Sequence, residues 1–135
     1  RSCFSGKVKG AITMTIESLR FIKEQLELIN YEFGQWTSNP VPYPYWVGEY
    51  NEIENVNEDG LQETTFILTG TTRGSWLELE QDKEKIEQLF KDKIAILPND
   101  NGIAIFYMNS LIVPVDDMEL KRMQINLQIK EWKVN

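Results

Sequence analysis

Between Met123 and Lys130 the sequence reads MQINLQIK, and apolar and polar residues alternate without a break. Met123, Ile125, Leu127 and Ile129 point one way from an extended chain, and Gln124, Asn126, Gln128 and Lys130 point the other. That is the period of an antiparallel strand with one face in a core and one toward water. The chain must therefore build a sheet and cover one side of it.

The covering elements are legible as helices. From Ile16 to about Phe33, the residues Leu19, Ile22, Leu26, Ile29 and Phe33 recur at steps of three and four, with Arg20/Glu24 and Lys23/Glu27 spaced i,i+4 elsewhere on the surface. Gly34 is the expected stop. A second helix is predicted in SWLELEQDKEKIEQLF, where Ser75 and Glu78 have the spacing of a capping box and Trp76, Leu79, Ile86, Leu89 and Phe90 form the apolar face. Three further strands are expected: Tyr45–Tyr50, ETTFILTGTT, and GIAIFYMNSLIVPV, the last ending at a turn through Asp116-Asp117. Between the first two, NEIENVNEDG reads as an exposed acidic loop turning at Asp59-Gly60. The expected fold is α+β: a four-stranded antiparallel sheet with two helices packed on one face, in the order α-β-β-α-β-β.

At 135 residues, 41% hydrophobic and 26% charged, the composition fits one globular domain. Its longest apolar runs are far shorter than a membrane span, and the expectation is a cytosolic type of chain with no membrane partner. Residues 1–13 carry three basic residues, no acid and the single cysteine, Cys3. They are expected to be a non-native or disordered leader, with the single domain occupying residues 14–135; without them the formal charge moves from −7 to −10.

Little catalytic chemistry is on offer. There is no histidine, no CxxC pair and no glycine-rich phosphate loop, so neither cofactor nor metal is expected and an enzyme would have to rely on carboxylates. The densest group is Glu49, Glu52, Glu54, Glu58 and Asp59. Its NVNEDG segment has the alternate oxygens of a calcium loop, but a loop counted from Asn55 would place Phe66 where the bidentate glutamate belongs. A solvated acidic loop is the simpler reading.

NPVPYPYWVGEY sets Pro40, Pro42 and Pro44 two apart, which removes donors from one lateral edge as a strand begins. Around it cluster Trp36, Tyr43, Tyr45, Trp46 and Tyr50. Aromatic platforms for nucleic acid sit in basic grooves, and this chain is acidic, so no specific nucleic-acid binding is expected. Tyr43, Tyr45 and Val47 share one face and Trp46 and Gly48 the other; one face is read as core, and the other, with Trp46, as a candidate protein contact. Tyr43, Tyr45, Trp46 and Tyr50 are the candidate subunit-contact residues.

An N-terminal amphipathic helix, then YPYWVGEY, an acidic loop, TTFILTGTTRGSWLELEQDKEKIEQLF and a final alternating strand together resemble the tail terminator, or tail completion, proteins of long-tailed bacteriophages. The likeness spans most of residues 14–135 and includes the family's P-Y-hydrophobic-hydrophobic-G-E strand, here Pro44 to Glu49. The resemblance implies a non-enzymatic virion protein, assembled in the host cytoplasm. Its partners would be itself, as a ring and in particular a hexamer, the tail tube protein and the head connector proteins. Glu49, Glu52, Glu54, Glu58 and Asp59 would then line a duct or face water. Two alternatives stay open: another head–tail adaptor or homo-oligomeric α+β binding module, and a carboxylate-dependent enzyme.

Overall fold

The structure, a computed structural model, describes residues 15–51 and 62–133. The leader and the acidic loop, with Glu52, Glu54, Glu58 and Asp59, lie outside the described residues. In chain order the elements are α1 (Ile16–Gln25), a 3-10 turn (Leu26–Leu28), β1 (Tyr31–Phe33), β2 (Tyr45–Asn51), β3 (Gln62–Arg73), α2 (Trp76–Leu89), β4 (Lys93–Ile96), β5 (Asn101–Val113) and β6 (Leu120–Lys133).

The strands form one six-stranded sheet in the order β1-β2-β3-β6-β5-β4. β1 runs parallel to β2 and every other neighbouring pair is antiparallel. This corrects the expected four-stranded, wholly antiparallel sheet in the order α-β-β-α-β-β. The two unexpected strands are the short outer ones. β1 was hidden inside the predicted first helix because Ile29 and Phe33 continue its 3-4 spacing. The helix instead stops at Gln25, the 3-10 turn tightens its end, and Ile29 is already extended. Tyr31-Glu32-Phe33 then gains more from pairing with β2 than from another helical turn. β4, Lys-Ile-Ala-Ile, is only four residues long and pairs back across the Pro98–Asp100 turn with Gly102–Ile105.

The prolines act on the side of β2 that β1 occupies. Trp46 donates its N–H to the Asn30 carbonyl at 2.7 Å, and the Gly48 carbonyl accepts from Gly34 at 2.8 Å. Even-numbered residues thus face β1, and Pro44, Pro42 and Pro40 could not continue that ladder. They bar the ladder from running back before Trp46, on an edge that β1 occupies, while at its other end β1 stops at Gly34, whose φ is +88°.

The alternation of β6 holds from Met123 onward: Met123, Ile125, Leu127 and Ile129 are buried beside Phe66 and Leu68 of β3 and Ile103 and Ile105 of β5. Ile22 and Leu26 from the first helical segment, and Leu79, Ile86 and Phe90 at α2, complete the core on that face. Gly48 and Gly70 make room for aromatic rings there. A Cβ on Gly70 would sit 2.7 Å from Trp46, and one on Gly48 would sit 2.7 Å from both Phe66 and Tyr31.

Side-chain bonds fix both helix starts. Thr15 caps α1 by accepting from the Ser18 N–H at 3.2 Å, while its hydroxyl donates to Glu131 at 3.0 Å. Ser75 caps α2 by accepting from Leu77 at 3.0 Å, but the reciprocal half of the expected capping box is replaced. Glu78 instead accepts from the buried Thr72 hydroxyl at 2.7 Å, tying the helix to the end of β3.

Candidate assembly surface

Of the four aromatic residues proposed for a subunit contact, the structure separates Trp46 from the others. Its side chain is fully buried on the core face, and its indole Nε1 donates to Asp82 Oδ2 at 2.9 Å. That contact is corrected: an indole already enclosed cannot present itself to a neighbour. Trp46 was read as an outward residue because the chain alternates aromatics on both faces; which face is core depends on β3 and β6, whose Gly70 and Met123 lie in register with it.

Tyr45 stands on the opposite face of the sheet and packs against Trp36 at 5.3 Å and Tyr43 at 5.8 Å between ring centroids. Arg73 closes this cluster. Its hydrogen bond to Tyr43, then that to Glu119 at 3.1 Å, hold the guanidinium more firmly protonated, with Asp117 adding a 3.6 Å ion pair. Tyr50 belongs to the core side, stacked on Phe33 at 6.0 Å. Burial pushes the neighbouring Tyr31 phenol well above its ordinary pKa, so it stays neutral. Glu49, the one described residue of the acidic group, is exposed on the outer face of β2.

The larger opening lies elsewhere. β5 has 13 residues, but β4 covers only Gly102–Ile105. Phe90 then accepts the Tyr107 N–H at 3.0 Å, and from Met108 to Val113 the side of β5 away from β6 has no strand partner among the described residues. Three of its side chains are large, apolar and outward: Met108, Leu111 and Ile112 are exposed, Ile112 at 62%. No charged residue occurs between Gly102 and Val115. An exposed edge of this kind templates pairing with another chain unless charge or proline protects it, and only Pro114, past its end, could do so. The uncharged run was visible in the sequence as a strand. Its overhang was not, because it depends on the shortness of β4.

At the other side of the sheet, α1 and β1 enclose a groove of about 280 Å3 lined by Ile16, Leu19, Arg20, Lys23, Tyr31 and Phe33. Ile16 is 70% exposed at its rim. Beside it, the Thr37 hydroxyl donates to Glu32 at 2.8 Å and Ser38 at 3.1 Å, and these bonds hold the Glu32 carboxyl below its usual pKa.

A hollow of about 780 Å3 between the 3-10 turn and α2 is lined by Leu28, Gln81, Glu84, Lys85, Gln88 and Leu89. It brings together one carboxylate and one ammonium without a nucleophile or a second acid within the lining, which is a poor constellation for acid–base chemistry. Among the described residues, no group of three acidic or cysteine side chains could hold a metal ion. No helix there is long and apolar enough to cross a membrane. Compared with protein-family models and with curated proteins, the chain matches none.

Proposed function

We propose that this protein is a phage virion component that caps the tail tube as a ring and joins the tail to the head. The single observation that carries the reading is the open edge of β5, an uncharged strand whose side away from β6 has no strand partner along Met108–Val113 among the described residues. A protein that works alone gains nothing from such an edge and risks aggregation; one that works as an assembly covers it. The likeness of YPYWVGEY and the segments around it to tail terminators supplies the kind of assembly.

Mixing the protein with tail tube protein during polymerisation tests the reading. Capped tubes of limited length are expected; tubes that grow on with bare tips would reject it.

A further inference from the structure

Two of the uncovered apolar surfaces among the described residues are unlike and belong to different edges of one sheet. One is the far end of the β5–β6 hairpin, with Ile112 exposed and Met118 at its tip 93% exposed. The other is the groove between α1 and β1, where Ile16 and Phe33 are exposed. Each also offers a charge of opposite sign without an ion pair among the described residues, with Glu32 beside the one in the groove and Lys121 beyond the one at the tip. The groove carries Lys23, which makes no ion pair among the described residues, and Arg20, engaged only in a surface pair with Glu17 at 3.2 Å. The hairpin tip carries Asp116, likewise without an ion pair, whereas Asp117 and Glu119 beside it are taken by Arg73.

We infer that the β5–β6 hairpin tip of one copy seats in the α1/β1 groove of the next, with Asp116 meeting Lys23. The inference rests on the assembly reading above for the existence of a second copy, and it goes further by naming both halves of the contact. Because the halves differ, the contact is head-to-tail and leaves each copy with one tip and one groove still to satisfy; only ring closure satisfies them all. A symmetric pairing of two overhangs would bury Leu111 and Ile112 but leave Ile16, Phe33 and Lys23 uncovered. The apolar residues supply the burial, and the ion pair at the rim sets register and orientation.

Disulfide cross-linking in a Cys3→Ser background separates the arrangements. Copies carrying Ile16→Cys are mixed with copies carrying Met118→Cys, and exposed Asp92→Cys reports random collisions. The contact gives cross-linked pairs only in the mixture, above the collision level. Lys23→Glu in the groove copy lowers their yield by about fivefold, and Asp116→Lys in the tip copy restores it. Cross-links within either single sample at the same level as in the mixture would show a symmetric contact and overturn the inference. So would collision-level yield in the mixture; if tubes are nevertheless capped by the same proteins, the contact is wrong and the capping role survives. Loss of capping with cross-linking intact would reject the role and keep the contact.

Discussion

Replacing Trp46 offers the sharpest check on how the core is built, because its ring and its N–H do separable work. The ring fills the space left by Gly70 and is fully enclosed, so Trp46→Ala opens a cavity the size of an indole and should cost about 3–5 kcal/mol. That is a large share of the roughly 5–15 kcal/mol by which a domain of this kind is stable, and partial unfolding at room temperature is expected. The N–H is measured by a cycle of Trp46→Phe, Asp82→Ala and the double variant. Asp82 is 8% exposed and takes the indole N–H at 2.9 Å, and its other described partner is Lys85 at 3.7 Å. The Lys85 contribution is lost in both backgrounds and cancels, leaving a coupling of about 1.5–3 kcal/mol for a buried bond to a charged acceptor. Urea unfolding followed by circular dichroism reads it directly. Coupling below about 0.5 kcal/mol, or a Trp46→Ala protein as stable as the parent, would refute the buried placement.

Gly48→Ala should destabilise by about 1–3 kcal/mol in the same assay, since a Cβ 2.7 Å from both Phe66 and Tyr31 forces one ring off its rotamer; an unchanged midpoint would show that the rings yield freely. The Glu32 carboxyl has a folded pKa below its unfolded value, so its contribution is present above the ordinary glutamate range and is lost as pH falls through the lowered folded value. A carboxyl-detected NMR titration should find it below the ordinary glutamate range and moved upward by Thr37→Ala, which removes the largest cause; an ordinary midpoint in the parent would contradict the Thr37 and Ser38 bonds.

What the sequence revealed and what it hid follow from how local each signal is. The strand period of β6, the apolar face of α2 and the Asp116-Asp117 turn depend on neighbours within a few residues, and each stands where the pattern put it. The end of α1 and the identity of β1 do not. A helical spacing through Ile29 and Phe33 is also compatible with two residues, Tyr31 and Phe33, on one face of a short strand, and the choice is made by β2 far along the chain. The same holds for the contact residues. Trp46 and Tyr45 are equally aromatic, and only the register with Gly70 and Thr71 decides which of them is enclosed. The overhang of β5 is less local still, since it is the difference between two strand lengths.

Electron microscopy of tail tubes assembled with and without the protein tests the central claim most directly. Tubes polymerised from tail tube protein alone should vary in length and have bare tips; with the protein present they should stop growing and carry a ring at one end. An Ile112→Lys variant, which puts a charge on the exposed β5 edge without touching the buried core, should fold as the parent does and leave the tips bare. Rings on the tips with wild-type protein and none with Ile112→Lys is the predicted result; tubes of unchanged length distribution and bare tips with wild-type protein would contradict the account.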